Sequence, residues 1–539
     1  MSSTATTTST APPGDQQRRP GLVLFMVCVA IFMLMLDATV VSAALADIRK
    51  DFDASIDGLQ WVIDAYSIPL AGVLLTFATL GDRFGRRRMF IIGMAGFTAS
   101  SLALAFANTI VVLDVLRAAQ GFAAAMLFAT ALPLLSVAYP EKAARAKAIG
   151  IYGAVMALAT VAGPVFGGAL VTQFGWRSIF TINVPIGIGI MVLAWLKMPE
   201  SASSPERRAD LLGSVLLTGG LVAGVFALTR SNALGWTSST VIGLLVAAVV
   251  LLIAFLAWQV KAKHPLFDLA MAKKPGFSGT AIVSVAHMAT LMAASNYIAL
   301  FLIGTLGYSP LQMGLRLLPI SLGAMIAAPL TAIFARRVPL AVSLPVTMAL
   351  VTVGMYLMGN FGHDSEWTHF VPGMLIGGLG LGAITAVTQA ASLTFASQEN
   401  AGMASATFGT LRQIGMAMGI AGLGAMFSRV AEDKTETGLA AIPGAGAVPP
   451  DLKEQFIEGI GSGAGHQVIE GVPAQFADSV PALTQVADSA SIDAMNALAN
   501  LGAVIGAVAV VLAVITFAID SRRSGKVNEK TREPEPASV

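Results

Sequence analysis

A succession of long apolar runs, separated by short polar segments, constrains this chain more than any other feature of its sequence. A helix that crosses the hydrocarbon core of a bilayer needs roughly 20 mainly apolar residues. The chain contains fourteen such runs, which predicts an all-α integral membrane protein with 14 transmembrane helices. Numbered 1 to 14 in chain order, the runs are 21–46, 58–80, 89–108, 110–138, 148–172, 178–196, 210–229, 239–260, 277–303, 310–334, 339–359, 370–395, 402–427 and 495–519.

Composition supports this class and argues against others. Of the 539 residues, 55% are hydrophobic and 12% are charged, whereas about 25% of the residues of a soluble protein are charged. We therefore expect the lipid bilayer to be its solvent. The net charge of +2 gives no basis for nucleic-acid binding. The single cysteine, Cys28, allows neither an intramolecular disulfide nor a cysteine metal site, and we interpret it as a packed apolar side chain.

The distribution of Lys and Arg predicts the orientation of the chain in the membrane. With the N-terminus in the cytoplasm, 23 of these residues fall in cytoplasmic segments and 7, Arg230 among them, in outer segments. Positive residues concentrate on the cytoplasmic side, so we expect both termini there. Three more, Arg117, Arg316 and Arg412, lie within apolar runs. We expect the polar tails 1–20 and 520–539 to be disordered.

The runs divide into two halves with a pair of helices between them. We predict an N-terminal six-helix bundle over 21–197, two inserted helices over 210–260, and a C-terminal six-helix bundle over 277–519. Such paired halves are typical of secondary transporters. The outer segment 428–494 carries three basic and ten acidic residues. We predict a long extracytoplasmic loop here, either simply solvated or forming a vestibule for substrate.

The most specific local motif joins runs 2 and 3 and reads Leu80-Gly81-Asp82-Arg83-Phe84-Gly85-Arg86-Arg87-Arg88. Its glycines permit a tight turn, and its carboxylate can pair with a neighbouring Arg. A loop that makes and breaks such contacts can hold two bundles in one state, although the arginines alone would also mark an ordinary cytoplasmic turn. The residues to which we assign a conformational role here are Asp82, Arg83, Gly85, Arg86 and Arg87.

Four further segments complete a pattern that resembles a known family. They are Leu36–Leu45 in run 1, Leu113–Arg117 with Gln120-Gly121 in run 4, Gly153 with Gly163–Gly168 in run 5, and Trp176–Phe180 with Asn183–Pro185. With the loop, they resemble the major facilitator superfamily, and specifically its fourteen-helix drug:proton antiporters. Ala78 and Ala46 stand where that pattern has Gly and Pro. The resemblance implies the major facilitator fold and proton-driven export by alternating access.

Run 5 contains the glycine-rich part of this pattern. Gly163-Pro164 removes a backbone hydrogen bond and is expected to kink the helix, while Gly153, Gly167 and Gly168 permit close approach of another helix. The resemblance implies that this stripe packs against the C-terminal bundle, seals one face and prevents leakage. The alternative is helix packing without that role.

Charged residues inside the first bundle are candidates for proton coupling, because charges within a membrane are costly and usually functional. Counted at about 1.5 Å per residue, Asp37, Asp64 and Arg117 lie at similar depth. Our hypothesis is that Asp37 carries the coupled proton or holds Arg117, and that Asp64 is a second proton or cation site. A static Asp37–Arg117 pair is the alternative. We expect Asp114 to be interfacial and Asp210 to lie at a helix N-terminus.

The second bundle supplies candidates for the substrate cavity. Arg316 is expected to be structural and bound to backbone carbonyls, whereas Arg412 is nearer the midplane and is a better candidate for a cavity contact. Polar residues of runs 9 and 12 can bind either substrate or a neighbouring helix. The cavity candidates are Asn296, Gln389, Arg412, His287 and Tyr297.

These features predict a secondary transporter and not an enzyme. The chain lacks a phosphate-binding loop ending in Gly-Lys-Ser/Thr, clustered metal ligands and a nucleophile–base constellation, so we expect no cofactor. The leading prediction is a monomeric proton-coupled antiporter of the bacterial inner membrane that exports small hydrophobic or cationic drugs. The alternatives are a dedicated exporter of an antibiotic, siderophore or lipid, and a non-transporting receptor. In the first two cases its partners are protons and a small-molecule substrate.

Overall fold

The computed structural model of the protein is mostly helical, and its described part contains no β-strand. The structure describes residues 19–54, 56–200, 210–262, 271, 273–334, 337–362, 365–395, 401–442, 450–463, 465–470, 472 and 479–530.

Each of the fourteen apolar runs coincides with a helix, and we label these helices α1 to α14. Their bounds are Pro20–Val40, Ile56–Phe84, Arg86–Leu104, Ile110–Ala138, Lys142–Phe174, Ser178–Lys197, Leu211–Leu234, Ser239–Lys261, Pro275–Gly304, Pro310–Phe334, Leu340–Met358, Phe370–Phe395, Ala401–Ala441 and Val480–Lys530. Among the described residues, nine helices are long and apolar enough to cross a membrane. The count is ten if the two parts of α2, bent by 57°, form one span.

Several helices contain local breaks. α1 tightens into a 3₁₀ turn, Val41–Ala44, before a short outer helix, Leu45–Phe52. α10 is interrupted at Leu317, after an N-terminal capping box formed by Ser309 and Gln312. α9 contains one π-helical segment, Met288–Met292, a feature that often accompanies functional sites because it re-aims the neighbouring side chains.

Two large apolar cores correspond to the two predicted halves. The first is built from side chains of α1 to α6, such as Met26, Phe90 and Tyr152, and the second from side chains of α9 to α14, such as Phe301 and Met348. The inserted helices lie along the seam between them, because a smaller core joins residues of both halves to α7 and α8. Its members include Leu74, Ala129, Leu217, Phe255, Phe277 and Phe408.

The segment 428–494, predicted to be a long extracytoplasmic loop, contains helices over most of its length. α13 continues to Ala441, α14 begins at Val480, and two short helices, Pro450–Gly461 and Gly465–Glu470, lie between them. These helices are amphipathic and therefore escape a search for uniformly apolar runs. Phe456 and Ile460 are buried in the second core, so the helix Pro450–Gly461 packs on the protein itself.

The chain termini bear on two further expectations. The tail predicted to be disordered from residue 520 is instead helical as far as Lys530, where α14 ends. Residues 1–18, within the other predicted tail, and residues 531–539 lie outside the described part of the structure.

Candidate functional site

A buried ion pair lies at the centre of the first bundle. Nη1 of Arg117 in α4 is 2.6 Å from Oδ2 of Asp37 in α1, and both side chains are almost completely buried. The guanidinium also stacks over the ring of Tyr66, 4.3 Å from its centroid. The two charges that the sequence placed at similar depth are therefore in direct contact, although 80 residues separate them along the chain.

Two amides complete the coordination of the Asp37 carboxylate. Nε2 of Gln120 donates to Oδ1 over 3.1 Å, and Nδ2 of Asn183 donates to the same oxygen over 2.8 Å. Gln120 also accepts from Arg117 over 2.6 Å and donates to Ser101 over 2.8 Å. Each group in this network has its partners, so the carboxylate is held by three donors in a low-dielectric interior.

The local sequence explains how α4 delivers its part of the network. Arg117 and Gln120 are three residues apart, so they lie on the same helix face. The next residue, Gly121, packs directly against the backbone of Tyr66 in α2, where an added Cβ would lie 3.0 Å from the carbonyl carbon. This close approach lets Nε of Arg117 donate to the carbonyl oxygen of Val62 in α2 over 3.1 Å. In the sequence, Gln120 and Asn183 are recognisable only as members of segments that resemble the family's motifs.

Asp64 belongs to a different cluster from Asp37. It is buried in α2, and its Oδ2 has no hydrogen-bond partner within the described residues. The charged groups that act on it are Arg230 of α7 and Asp114 of α4. Arg230 was expected in an outer segment, but α7 continues to Leu234 and buries it, with its guanidinium 4.5 Å from the ring of Trp61. The inserted helix α7 thus contributes a buried charge to this cluster, although the predicted run 7 ended at residue 229 and left Arg230 outside.

Asp114 lies close to this cluster and is half-buried, not fully exposed at the membrane interface. Its Oδ1 is buried and has no hydrogen-bond partner within the described part of the chain. Asp210, in contrast, caps α7 as expected: it accepts from the backbone nitrogen of Gly213 over 2.8 Å. Trp258 and Gln259 of α8 also donate to it, which ties the two inserted helices together.

The loop motif that joins α2 and α3, residues 80–88, is anchored to the end of α6. Gly85 adopts a φ of 99°, a value that favours glycine, and Arg86 pairs with Asp82 at 2.8 Å. The backbone nitrogen of Arg87 donates to Glu200 over 3.2 Å, and its side chain donates to the carbonyl of Trp195. Arg83 lies over the ring of Phe84, 5.1 Å from its centroid. These contacts fix the loop within the first bundle.

The glycines of α5 face two different partners, and the helix as a whole also packs against α10 and α12 of the second bundle. A Cβ at Gly163 would overlap the side chain of Thr39, and one at Gly167 would lie 2.9 Å from the carbonyl oxygen of Val40. The two glycines therefore pack α5 against α1, inside the first bundle, and the expected contact with the second bundle was wrong for them. Gly153 instead faces Thr385 of α12 across the seam. Gly168 is buried, and the side chain of Pro164 lies outside the described residues.

The polar residues proposed for the cavity have different environments. The hydroxyl of Tyr297 donates to the carbonyl of Ile420 over 2.8 Å, so it bonds a neighbouring helix. Asn296 donates within its own helix to Met292 over 3.0 Å and is exposed. The side chain of Gln389 lies outside the described part of the structure. Arg316 donates to a carbonyl of its own helix, as expected for a structural role.

Arg412 and His287 lie together with a residue that the sequence analysis missed. Arg412 is 8% exposed, and its Nη2 lies 3.9 Å from the sulfur of Met156 in α5. It is close enough to act electrostatically on His287 of α9 and on Tyr152 of α5, one turn before Met156. The missed residue is Tyr152, whose only signal in the sequence was a polar hydroxyl within an apolar run.

The chain is similar to characterised proteins over most of its length. A model of the Major Facilitator Superfamily matches residues 27–420. The Multidrug resistance protein Stp of Mycobacterium tuberculosis (strain CDC 1551 / Oshkosh) is 34% identical over 411 residues, which are 76% of each chain. The Tetracenomycin C resistance and export protein of Streptomyces glaucescens is 32% identical over 423 residues, 78% of each chain.

A solved structure shares the fold at lower identity. A bacterial homologue of the human lysosomal transporter Spinster, in an inward-facing and unoccupied conformation, superposes with a TM-score of 0.59. The alignment covers 94% of this chain and 99% of that one at 18% identity. At this identity the likeness concerns the arrangement of helices alone.

Proposed function

Because this chain belongs to the Major Facilitator Superfamily, we propose that it is a proton-coupled antiporter that exports small hydrophobic or cationic drugs by alternating access. It is a multi-pass membrane transporter and not an enzyme. The relatives described above are named for multidrug resistance and for the resistance to and export of an antibiotic. These names support a drug or antibiotic as the cargo.

The observation that carries the coupling proposal is the contrast between two buried carboxylates. Asp37 accepts three hydrogen bonds and is paired with Arg117. Asp64 keeps one oxygen buried without a hydrogen bond within the described residues, and it faces a cation on an inserted helix. A carboxylate oxygen without a donor can take up a proton without breaking a network, so we assign the exchanged proton to Asp64.

Asp37 then has the second role that the sequence suggested, which is to hold Arg117. A buried pair that loses one partner is strongly destabilised, so the network favours a single arrangement of α1, α4 and α6. Proton entry at Asp64 changes the charge beside Arg230 of α7, at the seam between the bundles. Each proton that crosses the membrane down the potential supplies about 2.3 kcal/mol per 100 mV.

The topology in this proposal has fourteen spans, two six-helix bundles with α7 and α8 inserted, and both termini in the cytoplasm. All fourteen apolar runs are helical, and the Lys and Arg asymmetry fits this orientation. We place the protein in a bacterial inner membrane as a monomer. The bacterial relatives support the membrane, and the closed core of each bundle supports a folded single chain.

A second candidate is a dedicated exporter of a product that the cell itself makes. The specific observation in its favour is the relative named for both resistance to and export of tetracenomycin C, at 32% identity. Both candidates share the same coupling chemistry, and they differ in the breadth of cargo. A panel of chemically unrelated dyes and antibiotics separates them, because a dedicated exporter moves one chemical class.

The test of proton coupling is dye uptake into inverted vesicles with an imposed proton gradient. Wild type is compared with Asp64→Asn, and Asp51→Asn, an exposed outer carboxylate, is the matched control. We expect gradient-dependent uptake in wild type and in the control, and background uptake in Asp64→Asn. Intact gradient-dependent uptake in Asp64→Asn would remove Asp64 from the coupling path. Absence of any gradient dependence in wild type, across the whole panel, would contradict antiport.

A further inference from the structure

The second bundle contains a buried cation whose donors are not used. Arg412 of α13 is 8% exposed, and its Nε and Nη1 are buried without hydrogen-bond partners among the described residues. The contact of Nη2 is the thioether sulfur of Met156 at 3.9 Å, and a thioether is a weak acceptor. A buried guanidinium in this condition is unfavourable, because its charge has lost water and has no counter-ion within the described part of the chain.

Two neighbouring side chains are also left with unused polar atoms. The hydroxyl of Tyr152 and Nε2 of His287 are completely buried and have no hydrogen-bond partners in the described part of the chain. Nδ1 of His287 lies 2.8 Å from the carbonyl of Val283. Because a carbonyl only accepts, Nδ1 carries the proton and the neutral ring presents Nε2 as an acceptor. Four polar atoms on three residues are therefore free to bind something.

The position of this cluster suits a transported molecule. Arg412 of α13 in the second bundle contacts Met156 of α5 in the first, one turn after Tyr152. His287 lies on α9 of the second bundle, so the three residues flank the boundary between the bundles. Gly415 and Gly419 bring α13 against the backbone of α9, next to Val285 and Ala289. The π-helical segment of α9 begins directly after His287. A ligand bound here touches both bundles.

We propose that Arg412, Tyr152 and His287 form a recognition site for an oxyanion, a carboxylate or phenolate, carried by a hydrophobic cargo. This rests on the proposed export function and narrows it, since the site disfavours a cationic group at the same place. Nη2, whose contact is only a thioether sulfur, forms a planar two-donor edge with Nε on one side and with Nη1 on the other, and carboxylates match this geometry. Tyr152 supplies a hydroxyl donor, and Nε2 of His287 accepts from a hydroxyl adjacent to the oxyanion.

Binding of a matched pair of fluorescent probes to the full-length protein in detergent tests the site without requiring transport. Pyrenebutyrate carries a carboxylate, and its methyl ester has the same skeleton without the charge. Energy transfer from the tryptophans to pyrene reports binding. We expect wild type to prefer the carboxylate, and Arg412→Gln to weaken carboxylate binding by at least about tenfold while leaving ester binding unchanged.

Three further variants make the result specific. Tyr152→Phe removes one oxygen atom and is expected to cause a smaller, carboxylate-selective loss. Arg412→Lys keeps the charge without the fork and is expected to fall between wild type and Arg412→Gln. Arg316→Gln, the same change at the cation that bonds its own helix, is the control and leaves both probes unaffected.

The outcomes separate this site from the proposed export function. Equal binding of both probes by wild type, no binding of either, or an equal loss of both in Arg412→Gln would each overturn the oxyanion site. Carboxylate-selective binding in a protein that shows no gradient-driven uptake would instead leave the site standing and contradict the antiport mechanism. The two failures therefore have different signatures.

Discussion

The two bundles treat a buried arginine in opposite ways. In the first, Arg117 is paired with Asp37 at 2.6 Å and also bonds an amide and a backbone carbonyl. In the second, Arg412 is similarly buried, yet two of its nitrogens have no hydrogen-bond partner among the described residues. The same side chain therefore stabilises a structure in one bundle and is left available for a ligand in the other.

The difference suggests that structural support and ligand recognition are assigned to separate buried clusters. A completely bonded network defines one arrangement of its helices, since every alternative leaves a buried charge unpaired. An incompletely bonded cluster is unfavourable when empty and improves when a complementary group enters. Asp64, with one buried oxygen lacking a hydrogen bond, belongs with the second kind although it lies in the first bundle.

The largest expected effect comes from breaking the bonded network. Asp37→Ala leaves the Arg117 guanidinium buried without a counter-ion, and we expect a loss of about 3–5 kcal/mol of stability. Thermal unfolding of the purified protein in detergent measures it. Adding Arg117→Met to Asp37→Ala should recover most of the loss, because the unpaired charge is gone. If Asp37→Ala alone is as stable as wild type, the ion pair does not stabilise the bundle.

The next effect tests whether close helix packing supports that network. Gly163→Ala places a methyl group against Thr39, two residues after Asp37, and we expect about 1–3 kcal/mol of destabilisation from overpacking. Gly153→Ala on the same helix is the control, since its Cβ would lie 3.9 Å from Thr385, an ordinary contact. The two melting temperatures are compared. Equal behaviour of the two variants would contradict the packing of α5 on α1.

A smaller change of opposite sign is expected in the second bundle. Arg412→Met replaces an incompletely bonded buried charge by an apolar side chain of similar length, so stability should stay the same or rise. The melting temperature of the ligand-free protein measures it, beside that of Asp37→Ala. Destabilisation as strong as in Asp37→Ala would mean that Arg412 is as well compensated as Arg117, and the comparison between the bundles would fail.

The smallest effect concerns an exposed contact outside the membrane. Trp176 and Arg177 each donate to Asp51 over 2.8 Å, and these hydrogen bonds lower the pKa of Asp51. Because the pKa of Asp51 is lower in the folded state, its ionised form stabilises the protein above the ordinary pKa of Asp. This stabilisation is lost as the pH falls below about 4. Asp51→Asn should therefore reduce the melting temperature slightly at neutral pH and not in acid, because exposed pairs contribute little. A large effect at either pH would contradict this.

Much of the fold was predictable because hydropathy acts locally. All fourteen runs are helical, since a long apolar segment in lipid must satisfy its backbone hydrogen bonds internally. The same criterion failed where a helix is not uniformly apolar, as in the segment 428–494 and at the end of α7, where Arg230 is buried. Whether an amphipathic segment forms a helix, or a long charged side chain is buried, depends on the surfaces that it packs against. A search for apolar runs does not detect these surfaces.

The candidate site was only partly predictable. Asp37, Asp64, Arg117, Arg412 and His287 stood out because a polar or charged residue in an apolar run is costly. Gln120, Asn183 and Tyr152 did not stand out, because their importance lies in the partners they meet or lack. Likewise, nothing in the glycine pattern of run 5 indicates that Gly163 faces α1 and Gly153 faces α12.

The class of the protein, the positions of its helices, its family and several candidate residues can be predicted from the sequence. These follow from hydropathy, charge and motif spacing, which are properties of neighbouring residues. Only the packing of the helices reveals which charges are paired. Asp37 contacts Arg117, the charge of Arg230 acts on Asp64, and two nitrogens of Arg412 have no hydrogen-bond partner among the described residues. Ion pairs depend on how helices that are distant in the chain pack against each other. A rotation of one helix about its axis by a single residue is enough to separate a charged side chain from its partner.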